Sequence, residues 1–227
     1  PSNPTGIFYS ELELQNLAKI LLKHPHVWVM CDDLYEHIIF DDLKFKNILQ
    51  VDNKLKSRTF VVNGVSKAYA MTGWRLGYGA GPKELIKEIT KIQSQSTTHT
   101  SSISQAAAIE ALNNSDQFIN KNKKIFQKRR DLIFSKLKDF SLLQVFLPQG
   151  SFYAYVCCND LMGKKKDDGT TIKNDIDLSD YFLDEGVAVV PGEAFGCSNF
   201  FRISFATSNE DIIEGCEKIM SACKKLK

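Results

Sequence analysis

The sequence predicts an α/β protein whose first part has a mostly parallel sheet and whose last part is a small α+β domain. A continuous apolar run at residues 27–31 is typical of a buried parallel strand, a second buried strand is predicted at residues 59–65, and segments with helical apolar spacing alternate with them. After residue 150 the order becomes strand, helix, strand, strand, helix, which is typical of a separate α+β domain. We place the boundary inside a long charged helix, which gives domains 1–127 and 128–227.

Composition excludes several classes of protein. The chain has 227 residues, 43% of them hydrophobic, which argues against disorder, and its formal net charge of +2 gives no signal for nucleic acid or a membrane surface. No apolar run approaches the ~18 residues of a membrane span. The six cysteines form no C-x-x-C pair. We therefore expect a cytoplasmic protein with reduced thiols that binds neither nucleic acid nor membrane.

The first helix is expected after a turn. Residues 1–6 contain two prolines, an asparagine and a glycine, all of which favour turns. Ser10, followed by two glutamates, is a candidate N-cap, and leucines then recur at helical spacing through residue 22.

Two acidic residues follow the first predicted strand, at the sheet edge where open α/β proteins bind ligands. Asp32 and Asp33 could bind a metal, cap a helix or contact a cofactor. No third ligand is suitably spaced and the four histidines show no metal-like spacing, so we expect no metal site. We expect Asp33 to cap a helix or face solvent.

Lys67 directly follows the second predicted strand. Burial there would disfavour the charged form of the amine, and a neutral amine can form a Schiff base with an aldehyde. Arg75, shortly after it, carries a planar set of donors that suits a phosphate. Together they indicate a phosphorylated aldehyde cofactor, pyridoxal 5'-phosphate. The alternative is a solvated lysine in a loop.

The later elements are predicted from similar signals. Gly77, Gly79 and Gly81 lack the spacing of a dinucleotide-binding loop. Residues 76–80 are predicted as a strand instead, before Pro82, a favourable helix start. A polar loop, two helices and the small domain follow. The predicted elements are helices near 104–112, 116–140, 177–185 and 209–224, the last capped by Asn209, and strands 152–158, 187–190 and 200–206.

Four motifs, taken in order, resemble the class I/II aminotransferases of fold type I, which depend on pyridoxal phosphate. They are Asn3-Pro4-Thr5-Gly6, Asp32-x-x-Tyr35, Ser66-Lys67-x-x-x-x-Thr72-Gly73-x-Arg75 and Arg202-x-Ser204. The resemblance covers essentially the whole chain and is greatest to bacterial-type aspartate aminotransferases. Because the chain opens inside the first motif, we expect a C-terminal fragment, inactive alone. It would comprise the C-terminal part of the large cofactor domain and the small domain.

The resemblance implies a cofactor site. Lys67 would be the catalytic lysine that holds pyridoxal phosphate, and Ser66 and Arg75 would bind the cofactor, with Arg75 on its phosphate. Asp32 would pair with the pyridine nitrogen and Tyr35 with the phenolic oxygen.

The resemblance also implies substrate contacts. Asn3 would contact the cofactor's phenolic oxygen and lie near the substrate. Arg202 would bind the α-carboxylate of the substrate, whereas taken alone it is better explained by an intradomain salt bridge.

The implied activity is transamination between an amino acid, aspartate or a related acidic or aromatic donor, and a 2-oxo acid such as 2-oxoglutarate. A homodimer with shared active sites is implied as well. The alternatives are another reaction of this cofactor, such as a β-lyase, and a truncated, non-catalytic fragment.

Overall fold

The chain folds into two compact units. The computed structural model describes residues 1–227. One unit is Phe8–Lys123, and the other joins Pro1–Ile7 to Lys124–Lys227. The division falls inside the long helix, close to the boundary predicted between residues 127 and 128, and the first seven residues group with the C-terminal part. The two-domain assignment itself stays a prediction.

The Phe8–Lys123 unit has a three-stranded sheet and four helices. Its elements are α1 (Glu11–Lys23), β1 (Val29–Asp32), α2 (Ile48–Val51), β2 (Thr59–Gly64), β3 (Gly77–Ala80), α3 (Lys83–Gln95) and α4 (Ser102–Asn114). The strand order is β1-β2-β3, with β2 parallel to β1 and antiparallel to β3. Ser10 caps α1 as predicted, because its hydroxyl accepts from the Glu13 N–H while the Glu13 carboxylate accepts from the Ser10 N–H.

The prediction that residues 27–31 form a fully buried strand is wrong. Strand β1 begins at Val29, and Met30 keeps 72% of its surface exposed. Val29 and Cys31 pack against the cluster formed by α1 and α2, and Met30 points to the opposite face because side chains alternate along a strand. Burial is therefore one-sided on this edge strand.

The second unit contains a four-stranded antiparallel sheet. Helix α5 (Asp116–Leu137) crosses the boundary, and β4 (Gln144–Val145), β5 (Tyr153–Cys157), α6 (Asp175–Asp184), β6 (Val190–Pro191), β7 (Phe200–Ser204) and α7 (Asn209–Lys225) follow. The strand order is β4-β5-β7-β6. Its core contains fully buried aromatic rings, among them Phe182 and Phe201, which meet edge to face at 5.3 Å and fix β7 against α6.

No helix of the chain combines the length and apolarity needed to cross a bilayer.

Several boundaries in this unit differ from the predictions by a few residues, and hydrogen bonds explain two of the differences. Strand β6 has two residues instead of the predicted 187–190, because the Val187 N–H donates to Phe182 O at the end of α6 rather than to a neighbouring strand. The cap of α7 is Ser208 rather than Asn209, since the Ser208 hydroxyl accepts from the Asp211 N–H at 3.0 Å.

Candidate active site

Lys67 lies in a loop, residues 66–75, that is closed by its own hydrogen bonds. The Thr72 hydroxyl donates to Ser66 O at 2.9 Å, and Arg75 Nη1 donates to Thr72 O at 2.9 Å. Ala70 and Arg75 adopt left-handed backbone angles, with φ of 53° and 52°. Such angles cost a non-glycine residue roughly 1–2 kcal/mol, and strain of this kind clusters at ligand sites. The loop therefore links Ser66 to Arg75 and holds Lys67 in a defined place.

Asp32 and Lys67 lie at the same edge of the sheet. Asp32 ends β1 and Lys67 follows β2, and these strands run parallel, so their carboxyl ends share one edge. The turn after Asp32 is tied to β2, because the Asp33 N–H donates to Val62 O at 2.9 Å. Tyr35 in that turn is buried, and the half-buried Lys67 amine lies 6.0 Å from the centre of its ring.

The expectation that Asp33 caps a helix or faces solvent is wrong. Only 8% of Asp33 is exposed, and Asn47 Nδ2 donates to its carboxylate. Burial raises the pKa of Asp33 above its ordinary value. Asp32 is the exposed member of the pair and accepts from the Leu34 N–H at 3.2 Å. The residue that donates to the Asp33 carboxylate lies 14 residues away, at the N-cap of α2.

In the other unit, Arg202 on β7 lies between two aromatic rings. Its Cζ is 4.4 Å from the centre of the Tyr153 ring and 5.0 Å from that of Phe195. Nη1 donates to Asn3 Oδ1 at 2.7 Å, and the Asn3–Pro4 peptide bond is cis. Nε is buried without a hydrogen-bond partner, and no carboxylate pairs with the guanidinium. The intradomain salt bridge considered for Arg202 does not form, which leaves donors for an anionic ligand.

Gly6 brings Asn3 to Arg202. Its carbonyl accepts from the N–H groups of Gln149 and Gly150, at 2.9 and 2.8 Å, and its φ is +70°. A Cβ on Gly6 would stand 3.0 Å from the Gly150 carbonyl oxygen, so the backbone approach requires glycine. The segment before β5 thus anchors the opening motif.

We expect Gly6→Ala to destabilise the fold and to weaken substrate binding. Gly163→Ala is the matched control, because Gly163 also has positive φ, +84°, but open space around its Cα. The control should lower the free energy of unfolding by roughly 1–2 kcal/mol through backbone strain. Gly6→Ala should lower it by a further ~1–3 kcal/mol because the added Cβ overpacks the site. Urea unfolding of both variants, with substrate KM measured in the full-length protein, tests this. Equal losses in the two variants would contradict it.

Sequence reasoning missed two residues of the Arg202 site, Tyr153 and Phe195, whose rings flank the guanidinium. It named Thr72 in the lysine motif but gave it no role, whereas the structure shows that Thr72 connects the ends of the lysine loop. The alternation in residues 152–158 could have placed Tyr153 on the same sheet face as Tyr155, the residue paired with Arg202. Nothing in the sequence places Phe195, which is the last residue of the short 3-10 turn Gly192–Phe195.

The predicted site residues fall into two groups, one in each unit. Asp32, Tyr35, Ser66, Lys67 and Arg75 belong to Phe8–Lys123, and Asn3 and Arg202 belong to the other unit. The first group offers an amine against a tyrosine ring, an exposed carboxylate at the sheet edge and an exposed guanidinium. This donor set fits a phosphorylated aldehyde with a ring nitrogen.

The structure contains no group of three or more histidine, cysteine, aspartate or glutamate side chains that could hold a metal ion.

Comparison with known proteins gives a consistent result. The family model described as "Aminotransferase class I and II" matches residues 1–219. A probable aspartate/prephenate aminotransferase of Rickettsia felis is 54% identical over 224 residues, covering 98% of this chain and 55% of that protein. The aspartate aminotransferase of Rhizobium meliloti is 49% identical over 227 residues, covering 100% of this chain and 55% of that protein. The chain thus spans little more than half the length of these relatives.

Solved structures show the same similarity. The crystal structure of the Rhizobium meliloti aspartate aminotransferase superposes with a TM-score of 0.95 at 49% identity, covering 100% of this chain and 57% of that one. The Thermus thermophilus aspartate aminotransferase with maleate superposes with a TM-score of 0.86 at 34% identity, covering 98% and 55%. The predicted fold class, that of a fold-type I aminotransferase in part, is confirmed.

Proposed function

We propose, because the chain belongs to the aminotransferase class I and II family, that the full-length protein transfers an amino group between an amino acid and a 2-oxo acid. The observation that carries the proposal is Arg202, a guanidinium held by two rings and an amide, with a buried Nε that no group of the chain satisfies. Amino acids and 2-oxo acids share the carboxylate that such a guanidinium binds through two parallel hydrogen bonds.

Pyridoxal 5'-phosphate is the proposed cofactor. When bound, it supplies an aldehyde that takes up the amino group and a ring that withdraws electrons. We assign Lys67 as the residue that holds it. Ser66 and Arg75, joined through Thr72, are assigned to its phosphate. Arg75 uses one donor within the loop, so the remaining edge of its guanidinium can bind a phosphate.

The ring contacts are assigned to Asp32, Tyr35 and Asn3. The exposed Asp32 carboxylate would hold the proton on the ring nitrogen, which favours electron withdrawal. The Tyr35 hydroxyl and the Asn3 side chain would contact the phenolic oxygen. Burial of Tyr35 fixes the direction of its hydroxyl before the ligand binds.

Lys67 is also the proposed general base and acid. Its Nζ would take the proton from Cα of the amino-acid substrate. When the 2-oxo acid accepts the amino group, Nζ would give a proton to the Cα of the new amino acid. Arg202 orients the substrate for that step by binding the α-carboxylate, with Asn3 beside it.

The names of the relatives guide the choice of substrate. Those proteins are described as aspartate or aspartate/prephenate aminotransferases, so we propose aspartate, or a related acidic or aromatic donor, with 2-oxoglutarate as an acceptor. A homodimer with shared active sites and a cytoplasmic location are part of the same proposal. Six cysteines that are all free thiols support a reducing compartment.

Product analysis of the full-length protein tests the proposal. Aspartate and 2-oxoglutarate with pyridoxal phosphate should give glutamate in a one-to-one ratio to the 2-oxo acid formed from the donor. A β-lyase would instead release pyruvate and ammonia from a suitable donor without forming glutamate. Release of ammonia without glutamate, for every acidic and aromatic donor offered, would refute transamination.

A further inference from the structure

Asp175 is an acidic side chain with no exposed surface at the first position of α6. Its Oδ2 accepts from the Glu193 N–H at 2.8 Å and its Oδ1 from the Asn199 N–H at 3.1 Å. No lysine or arginine pairs with it, so backbone amides and the positive end of α6 stabilise its charge.

The two amides bracket one loop, residues 193–199. Phe195 lies inside that loop, 5.0 Å from the guanidinium carbon of Arg202. The loop is also closed on itself, because the Cys197 N–H donates to Gly192 O at 3.1 Å. A third anchor is the Tyr155 hydroxyl, which donates to Cys197 O at 3.3 Å. Asp175 is thus the one side chain that ties down both ends of the loop that carries Phe195.

We propose that Asp175 is a positioning residue for substrate binding, acting through Phe195 on Arg202. The inference rests on the proposed function, because it takes Arg202 as the residue that binds the carboxylate. Phe195 is one of two rings that hold the guanidinium in place, with Tyr153 on the β5 side. An ordered guanidinium has less conformational freedom to lose when substrate binds.

Asp175→Asn removes this anchor with little change in size. An asparagine has one acceptor oxygen, and its amide group would face one of the two N–H donors, so one end of the loop is released. We expect KM for both the amino acid and the 2-oxo acid to rise by up to roughly tenfold, the effect of losing about one hydrogen bond that keeps the binding group in place. Cofactor affinity should not change. Hydrogen exchange of peptides covering residues 192–199 should accelerate.

Asp180→Asn is the matched control, since Asp180 is exposed on the same helix and the chemical change is the same. It should leave both KM values and hydrogen exchange as in the wild type. A lower melting temperature of Asp175→Asn with unchanged KM for both substrates would show a structural role only, and would overturn the proposal.

Phe195→Leu is the second variant, and it decides the matter if Asp175→Asn does not fold. It keeps both hydrogen bonds of Asp175 and removes only the ring. KM should again rise for both substrates, and in the double variant the two effects should not add, because both act through the same contact. Unchanged KM in Phe195→Leu, or full additivity in the double variant, would refute the route through Phe195.

Arg202→Lys separates this inference from the proposed function. If Arg202→Lys raises KM while Asp175→Asn and Phe195→Leu do not, positioning by Asp175 is wrong and the carboxylate role of Arg202 stands. If Arg202→Lys leaves KM unchanged for both substrates, the proposed function of Arg202 itself fails.

Discussion

Replacing Lys67 by alanine is expected to abolish the visible absorption of the cofactor-bound full-length protein. The same change should lower kcat on the order of 10²–10⁴-fold, the range typical of a lost general acid–base group. The physical reason is that we assign to Lys67 both the amine that holds the cofactor and the base that moves the substrate proton. Absorption spectra and initial rates measure the two effects on one preparation.

Lys56→Ala is a matched control for this experiment. Lys56 is an exposed lysine of the same unit, in the 3-10 turn Asn53–Arg58, before β2. Its removal should leave the spectrum and the rate unchanged. A Lys67→Ala protein that keeps the visible band and wild-type turnover would show that another lysine holds the cofactor.

Arg202→Lys is expected to weaken all amino-acid and 2-oxo-acid substrates alike. Lysine keeps the charge between the two rings but cannot form two parallel hydrogen bonds with a carboxylate. A hydrogen bond to a charged group contributes about 1.5–3 kcal/mol, so kcat/KM should fall roughly tenfold to more than a hundredfold. Steady-state kinetics with both substrates of the pair measure the loss.

Arg75→Ala should give the opposite pattern, because Arg75 is assigned to the cofactor phosphate. Cofactor should dissociate more readily, and excess pyridoxal phosphate should restore much of the activity with little change in substrate KM. If Arg202→Lys lowers the melting temperature while KM of both substrates stays constant, Arg202 is a structural residue and the carboxylate assignment is wrong.

Much of this architecture follows from local patterns in the sequence. The capping box of α1 is visible as Ser10 with Glu13, and the loop that holds Lys67 follows the strand predicted at residues 59–65. Parallel pairing of β1 with β2 then puts Asp32 and Lys67 at one edge. These features depend on neighbours close in sequence or on strand order, which periodicity and turn residues reveal.

Other features depend on contacts between distant residues, and the sequence does not reveal them. Asp33 is buried and accepts from Asn47, the N-cap of α2, and in the sequence an acidic pair looks the same whichever member is buried. Phe195 reaches Arg202 because Asp175 holds its loop from another helix. Such long-range contacts leave no periodic trace in the chain.

One-sided burial of β1 has a similar explanation. A continuous apolar run predicts burial on both faces, yet only Val29 and Cys31 have packing partners in the α1–α2 cluster. Met30 lies on the other face, and local hydrophobicity does not report which face is covered.

The central claim is that Lys67 holds the cofactor, and chemical labelling tests it most directly. Borohydride reduction of the cofactor-loaded full-length protein fixes the cofactor to the amine that binds it, and peptide mapping by mass spectrometry then locates the added mass. We predict one labelled peptide, with the mass on Lys67, and loss of that label when amino-acid substrate is added before reduction. A label on any other lysine, with Lys67 unmodified, would contradict the account.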